Sequence, residues 1–351
     1  MPDKLYSGDK FFVPFMRGDL LKTLKLLVLK EKTYTALAVE RNGEYVARVL
    51  FTVGHSKQLK LDNCGYFSHF ECIDDQKCCN LLLSEMCTIL KERGVTHVEG
   101  TYFPYDQDNR RGILVEGFVY EPMILTSYNP QYYIRLLENF GFKKDFDPVS
   151  YEVNCDRFDN DRVEPLVKKI LARYDLYVTH ANFKKIDRDI DDVHSVIEQA
   201  TNDIIFQDAP TREDIAKIVA SWKSFLWEDL ILICRRRSDD KPVGMMMAVP
   251  NFYTVFRKMN GKTNPVALLK ALYYRKRIKS VRVILQYVIP EYQSLGVNFA
   301  LYHEFYLACK RRGVEYAEAG TIMEDNEISR RNVEKASGKL IKTFRLYGKD
   351  I

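Results

Sequence analysis

Apolar positions along the chain follow two periods, one typical of buried strands and one typical of helices. β-Branched and aromatic residues dominate residues 65–73 and 281–289, which we predict as strands. Apolar residues at helical spacing follow over residues 78–93 and 298–312, and each helix stops at a glycine before a second strand-like run. The pattern predicts a mixed α/β fold in which strand, helix and strand succeed one another at two places.

The two halves of the chain repeat the same order of elements. A helix that starts at an asparagine, closes on a glycine and re-enters a strand is predicted over residues 129–153 and again over residues 326–349. A polar and then helical stretch at residues 155–177 suits a connection between domains. The order strand, helix, strand, helix, strand is thus used twice, which indicates a duplicated domain.

Other segments are added to this repeat. Residues 101–127 are long for a loop, so they are either functional or packed on the neighbouring domain, and we favour packing. Helical patterns at 190–200 and 211–225 precede a hairpin at 230–250. Residues 251–279 are predicted as a connection with a basic tail, Arg275, Lys276, Arg277 and Lys279. This tail is either a solvated helix end or a counter-charge for cofactor phosphates.

A short loop with one glycine, Gly296, joins the strand at 281–289 to the helix at 298–312. A strand that enters a helix through such a loop leaves free backbone N–H groups and the positive end of the helix dipole facing one point, where a phosphate can bind. The sequence therefore predicts a phosphorylated cofactor.

Length and composition fit a globular protein of two domains. The 351 residues exceed an average single core, and 46% apolar with 29% charged residues leaves no case for disorder. No run approaches the ~20 apolar residues of a membrane span, and the N-terminus carries acids where a signal peptide needs a basic start. We therefore expect a cytoplasmic protein without a membrane partner. The net charge of +5 is too small to argue for nucleic acid.

The eight cysteines do not have the spacing of a metal site. Five of them lie between Cys64 and Cys87, where Cys78 and Cys79 are adjacent and only His69 is a nearby histidine. We expect no metal, and free thiols packed as small apolar side chains in a reducing compartment.

The run from Val288 to Asn298 resembles the cofactor-binding signature of the GNAT N-acyltransferase superfamily, in which Gln or Arg, two residues, Gly, one residue and Gly or Ala follow a strand. Here the signature reads Gln293, Ser294, Leu295, Gly296, Val297, Asn298, with Asn at the last position. Residues 281–349, together with 65–75, 115–123 and 128–142, look like an uncharacterised bacterial family of tandem GNAT-like proteins. The resemblance covers nearly the whole chain.

This resemblance implies two tandem GNAT-like domains, each a mixed central sheet flanked by helices. A degenerate N-terminal domain would span residues 1–160, a connection 161–180, and a C-terminal domain with the acyl-CoA loop 181–351. In that family the loop amides hold the pyrophosphate of coenzyme A and the preceding strand binds the pantetheine arm. The implied cofactor-binding residues are Leu285, Tyr287, Val288, Gln293, Ser294, Leu295, Gly296, Val297, Asn298 and Asn326. For Asn326, an ordinary helix N-cap is the alternative role.

The resemblance also bears on catalysis. Many GNAT enzymes reprotonate the departing thiolate with a Tyr on their last helix, and that position is Val333 here. They also place a Glu base on or near the central strands, for which Glu318 and Glu324 are the candidates. Tyr287 is a further candidate for proton transfer, with packing on a buried strand as the alternative role.

The first copy differs at the phosphate loop. Asp74 and Asp75 precede its helix, and their carboxylates would repel a pyrophosphate and suit the helix N-terminus directly. We therefore predict that this domain does not bind coenzyme A and that it acts as a scaffold, closes the sheet edge of the second domain or supplies one wall of the acceptor cleft. Tyr128, Tyr132 and Tyr133 either line that cleft or belong to a core.

The predicted function is transfer of an acyl group from acyl-CoA, with acetyl-CoA as the default donor, to an unidentified small-molecule or peptide amine. Two alternatives stay open: a non-catalytic GNAT-fold interaction protein, and an aminoacyl-tRNA-dependent transferase that would use the basic run at 275–279. Nucleic acid is otherwise disfavoured as a partner, and a homodimer is compatible with the sequence.

Overall fold

The computed structural model of the chain describes residues 2–14, 34–56, 59–102, 111–201, 210–262 and 264–351, with positions 21, 25 and 28. Contacts divide the chain into two compact units. The first comprises Met1–Val149, Tyr253–Lys276 and Ile341–Ile351, and the second comprises Ser150–Phe252 and Arg277–Leu340. The first unit thus includes two segments from late in the sequence.

The elements follow in chain order. Up to residue 154 they are α1 (Pro2–Leu5), β1 (Thr35–Arg41), β2 (Glu44–Ser56), β3 (Leu61–Cys72), α2 (Gln76–Glu92), β4 (His97–Gly100), β5 (Ile113–Glu116), α3 (Tyr132–Phe140), β6 (Lys143–Phe146) and β7 (Pro148–Asn154). After it they are α4 (Asn160–Arg173), β8 (Leu176–His180), α5 (Ile186–Thr201), α6 (Arg212–Trp222), β9 (Ile231–Arg236), β10 (Pro242–Pro250), α7 (Tyr253–Met259), α8 (Pro265–Arg275), β11 (Ser280–Val288), α9 (Val297–Arg312), β12 (Tyr316–Met323), α10 (Glu327–Lys335) and β13 (Lys339–Asp350).

The sheet of the first unit has the strand order β1-β2-β3-β4-β13, and β5 and β6 also pair with β13. β3 and β4 run parallel, whereas β1 with β2, β2 with β3 and β4 with β13 run antiparallel. α2 buries Cys79, Leu83, Met86 and Leu90 at helical spacing against this sheet. β13 of this order is supplied by residues from late in the described chain.

The sheet of the second unit has the order β7-β12-β11-β10-β9-β8. β11 and β12 run parallel, and β8 to β11 form antiparallel neighbours. α9 crosses between the parallel strands and buries Val297, Leu301 and Ala308 in the core of the unit. The mixed sheets flanked by helices confirm the predicted α/β class.

Most predicted elements are present. The helices predicted at 78–93 and 298–312 are α2 and α9, and the predicted hairpin is the antiparallel pair β9 and β10. The capping signature at Thr211 is a capping box, in which Thr211 and Asp214 exchange hydrogen bonds at the start of α6. The segment 251–279, predicted as a connection, contains α7 and α8. Of residues 101–127, positions 103–110 lie outside the described residues.

All eight cysteines are buried free thiols, in agreement with the sequence prediction. Within the described part of the chain, no three or more His, Cys, Asp or Glu side chains are grouped as metal ligands would be. Among the helices described, none combines the length and apolar character needed to cross a bilayer.

Candidate functional site

The parallel strands of the second unit separate part of the way along their length. β11 and β12 pair only from Ser280 with Tyr316 to Val283 with Ala319, although both strands continue beyond these residues. Strands that stop pairing leave backbone N–H and C=O groups facing the gap, where a ligand can form hydrogen bonds with them. We call this gap the fork, and it opens toward the carboxyl ends of both strands.

A β-bulge lies at the base of the fork. On β10, Met247 is opposite Leu285 and Ala248 is opposite Val283, so Ile284 is an extra residue on β11. Such a bulge changes which face of the sheet the following side chains occupy. As a result, Val283 and Gln286 line the same cavity although they are three residues apart.

The predicted phosphate loop lies at the open end of the fork. A 3₁₀ turn at Pro290–Tyr292 follows β11. The loop is then held to the end of β11 by a hydrogen bond of 3.1 Å, which Nε2 of Gln293 donates to the carbonyl oxygen of Val288. Ser294 and Gly296 both have positive φ, 66° and 88°. The loop therefore turns sharply enough to start α9 beside the end of β11.

The first turn of α9 presents backbone N–H groups without a side-chain cap. Gly296 is the N-cap residue, and no side chain accepts a hydrogen bond at this helix start. The first N–H groups of a helix have no partner within the helix and carry its positive dipole end. This arrangement suits an anion such as a phosphate.

Two glycines allow close packing around this loop. At Gly296, which has left-handed backbone geometry, an added Cβ would lie 2.5 Å from Cδ1 of Ile170 on α4. At Gly244 on β10, an added Cβ would lie 2.9 Å from Cγ1 of Val297. Glycine is thus required at Gly244 so that the start of α9 can rest on the sheet, and at Gly296 for both conformation and space.

A polar cluster joins the fork to the helix start. Nε2 of Gln286 donates to Oδ1 of Asn298 at 2.9 Å and to the hydroxyl oxygen of Tyr302 at 3.0 Å. Burial raises the pKa of Tyr302 to about 12, so its hydroxyl stays protonated at neutral pH. Asn298, at the signature position where Gly or Ala is usual, therefore positions Gln286 beside the fork.

An apolar cavity continues from the fork into the second unit. It lies between β11, β12, α9 and α10 and is partly open to solvent. Val283 and Ala319, the last paired residues of the fork, line it, and so does Val333. Its other lining residues are Val153, Cys155, Phe158, Met246, Gln286, Tyr302, Phe305, Tyr306, Cys309, Ala317 and Ala336. The cavity therefore offers an apolar ligand a path that begins where β11 and β12 separate.

The three predicted catalytic residues occupy separate places. Glu318 is buried on β12, in register with buried Arg282 on β11. Tyr287 lies five residues beyond Arg282 along β11, a distance of about 16 Å at ordinary strand rise. Glu324 lies beyond the end of β12, and its carbonyl oxygen accepts a hydrogen bond from Arg330. All three assignments stay predictions.

The remaining predicted cofactor residues lie along the same path. Leu285 and Val288 belong to the antiparallel pairing of β11 with β10, opposite Met247 and Gly244. Leu295 packs against the core of the unit, so the loop is anchored on its inner side. Asn326 caps α10, where its Oδ1 accepts a hydrogen bond from the N–H of Ser329 at 3.0 Å. This capping is the alternative role predicted for Asn326.

The first unit has a different helix start at the corresponding place. Oδ1 of Asp75 accepts hydrogen bonds from the N–H groups of Lys77 and Cys78 at the N-terminus of α2. A hydrogen bond from Arg41, followed by that from the Lys77 N–H, lowers the pKa of Asp75, which stays ionised. A carboxylate thus occupies the position that an anion would take, as the sequence predicts for this domain.

The three tyrosines predicted for the cleft or the core each donate a hydrogen bond within the first unit. Tyr133 donates to Oε2 of Glu71 at 2.7 Å, and Tyr132 donates to the carbonyl oxygen of Cys72 at 2.7 Å. Burial raises the pKa of Glu71. Tyr128 donates to Asp9 at 2.6 Å. Of the two predicted roles, Tyr133 has the core role, because it is only 1% exposed, although it also borders a cavity within this unit.

Sequence reasoning missed the cavity and the role of Gln286. The cavity residues come from strands and helices that are far apart in the sequence, so no local pattern marks them. For Gln286, the available signal is a polar side chain in the apolar run 281–289, which needs a buried partner.

No protein-family model matches the chain. Two bacterial relatives do. "Protein YghO" of Escherichia coli K12 is 22% identical over 362 residues, which cover 100% of this chain and 91% of that protein. "Bacterial ceramide synthase" of Caulobacter vibrioides is 24% identical over 293 residues, which cover 81% of this chain and 75% of that protein.

Solved structures are similar over almost the whole chain. A GCN5-related glucosamine N-acetyltransferase region of a fungal multi-domain beta-N-acetylglucosaminidase has a TM-score of 0.59 at 11% identity, covering 99% of this chain and 36% of that one. A GCN5-related N-acetyltransferase from Sphaerobacter thermophilus has a TM-score of 0.53 at 12% identity, covering 95% of this chain and 85% of that one. A tandem GNAT protein from the clavulanic acid biosynthesis pathway has a TM-score of 0.53 at 9% identity, covering 94% of this chain and 87% of that one. These likenesses confirm the predicted GNAT-type fold.

Proposed function

We propose that the second unit is an N-acyltransferase that takes its acyl group from a coenzyme A thioester. One observation carries the proposal: β11 and β12 separate after Val283 and Ala319, and the uncapped start of α9 lies at the same open end of the fork. An extended ligand fits this arrangement if its phosphate binds at the start of α9 and its polar arm lies along the unpaired part of β11. The GNAT-type fold of the chain supports the same reaction class.

Each part of the donor would meet a different group. The pyrophosphate would accept hydrogen bonds from N–H groups of the loop at 293–298, where Gly296 keeps the approach open. The amide groups of the pantetheine arm would pair with the edge of β11 that no longer pairs with β12. The thioester carbonyl would lie near the bulge at Ile284, where a strand N–H can polarise it.

The cavity favours an acyl chain longer than acetyl. It begins at the base of the fork and is lined almost wholly by apolar side chains, so a hydrocarbon chain attached to the thioester can enter it. Val333 faces this cavity at the position where many GNAT enzymes carry a Tyr acid. The name of the ceramide synthase relative is consistent with this donor and with an amine acceptor, because a ceramide is the amide of a fatty acid and a long-chain amine.

Glu318 is our proposed general base, acting directly or through water on the attacking amine. Replacing Glu318 with Gln keeps the size and removes the base, so turnover should fall about 10²- to 10⁴-fold while the Kd for the donor stays nearly constant. The measurement is release of free coenzyme A in the presence of primary amines. Glu324→Gln and Tyr287→Phe are the matched variants, and full turnover of Glu318→Gln with loss in one of these would transfer the role to that residue.

Thermal unfolding with ligands tests the proposed function itself. Free coenzyme A, acetyl-CoA and palmitoyl-CoA are added separately at one common concentration, so the tightest ligand gives the largest shift; a ligand at about a hundred times its Kd should stabilise the folded chain by about 2.7 kcal/mol. We expect a shift with all three and the largest with palmitoyl-CoA. No shift with any of them would contradict the proposal and favour a GNAT-fold interaction protein without acyl-CoA chemistry.

A further inference from the structure

Helix α8 of the first unit exposes apolar side chains to solvent. Val266, Leu269, Leu272 and Tyr273 are each more than half exposed, and Leu269 has 67% of its surface accessible. Their spacing of three and four residues places them on one side of the helix. Ala267 is buried, so another side of α8 is anchored on the unit. The exposed apolar side is therefore a stable surface of the folded protein.

The segment that carries this apolar side is rich in cationic residues and contains no acidic residue. Residues 253–276 contain no Asp or Glu, and they contain Arg257, Lys258, Lys262, Lys270, Arg275 and Lys276. All of these except Arg257, which pairs with Glu121 at 3.0 Å, are exposed. The chain as a whole has a net charge of only +5. The positive charge is thus concentrated on the same segment as the exposed apolar residues.

We propose that α8 is an interfacial helix that binds the surface of an anionic lipid bilayer. An apolar face bordered by Lys and Arg lies in the plane of the interface, with its apolar side chains among the acyl chains and its cations at the lipid phosphates. At 11 residues α8 is too short to span a bilayer, so it lies on the surface. This differs from the sequence-based expectation of no membrane partner, and it does not depend on the proposed acyl transfer.

The charge pattern favours a lipid bilayer over a second copy of the chain as the partner that covers this apolar side. A second copy of the chain would bring an identical cationic surface to the same place, because a twofold interface pairs a patch with itself. Like charges at that distance oppose pairing, whereas anionic headgroups are complementary to them. An anionic bilayer satisfies the apolar and the cationic groups together.

Vesicle co-sedimentation of the full chain tests the proposal. We expect binding to mixed phosphatidylcholine and phosphatidylglycerol vesicles, weak binding to phosphatidylcholine alone, and loss of binding as salt is raised. Leu269→Glu should lower the partition coefficient at least about tenfold, because it replaces an apolar side chain that would enter the acyl-chain region by an anion. Lys276→Glu should lower it about fivefold or more.

Leu81→Glu is the matched control. Leu81 is 62% exposed on α2 of the same unit, so this variant makes the same chemical change at similar exposure on another helix. It should bind vesicles as the unaltered chain does. Equal loss in Leu81→Glu and Leu269→Glu would overturn the assignment to α8, as would equal binding to neutral and anionic vesicles or no binding to either.

Two further measurements keep the test decisive. Tyr273→Trp places a fluorophore on the apolar side of α8, and its emission should shift to shorter wavelength on addition of anionic vesicles only. Light scattering after size exclusion gives the mass of the chain in solution. A dimer that dissociates in Leu269→Glu would show that a second copy covers this side, which overturns the proposal.

Discussion

Replacing Gly296 with Trp should lower the affinity of the second unit for coenzyme A at least about a hundredfold, because two or more charge-assisted hydrogen bonds of about 1.5–3 kcal/mol each would be lost. Gly296 has a φ of 88°, and a Cβ there would lie 2.5 Å from Ile170. A large side chain therefore cannot turn toward α4 without displacing it, and it covers or moves the N–H groups at the start of α9. Titration calorimetry with free coenzyme A measures the effect.

Gly313→Trp is the control for backbone strain. Gly313 ends α9, has a φ of 68°, and a Cβ there would have no atom within 4 Å. This variant carries the same strained conformation at the other end of the same helix, so it should lose stability without losing coenzyme A affinity. Unchanged affinity in Gly296→Trp, or equal loss in both variants, would remove the loop from the proposed cofactor site.

Replacing Ala319 with Phe should separate long from short acyl donors. Ala319 is the last residue of β12 paired with β11 and lines the cavity, so a phenyl ring there takes space that an acyl chain would occupy. We expect palmitoyl-CoA to bind at least about a hundredfold more weakly, which corresponds to the burial of three to four methylene groups at about 0.8 kcal/mol each. The Kd for acetyl-CoA should change no more than about threefold.

Acetyl-CoA binding to the same variant is the internal control. Added volume in a packed region typically costs about 1–3 kcal/mol of stability, so the unfolding temperature is measured alongside the two Kd values. An equal loss of affinity for both donors would mean that the phenyl ring disturbs the position of the thioester and does not compete with the acyl chain. Unchanged palmitoyl-CoA binding would mean that the acyl chain does not enter this cavity.

The local elements and the phosphate loop could be predicted because their signals are local. α2 and α9 have apolar residues at helical spacing and a glycine at the end, and the loop before α9 carries Gly296 at the turn. The role of Asp75 at the start of α2, where its carboxylate takes the place of a bound anion, could be predicted because a carboxylate directly before a helix commonly caps it. Such features depend on neighbours within a few residues.

The missed features depend on contacts between distant parts of the chain. Pairing of β13 with β4 joins residues near 348 to residues near 99, and no periodicity specifies that partner. The segment 253–276 follows β10 in sequence yet belongs to the first unit, so its helices were predicted only as a connection. The hydrogen bonds of Gln286 to Asn298 and Tyr302 likewise depend on the packing of α9 against the sheet.

Residues 341–351 belong to the first unit although they follow the second unit in sequence, and this sets the order in which the two units can fold during translation. β4 needs β13 as its neighbour, and β13 is translated only after all of the second unit. Until then β4 is an open sheet edge that can pair with other chains. The unit that begins first is therefore completed only after the residues of the second unit have been translated.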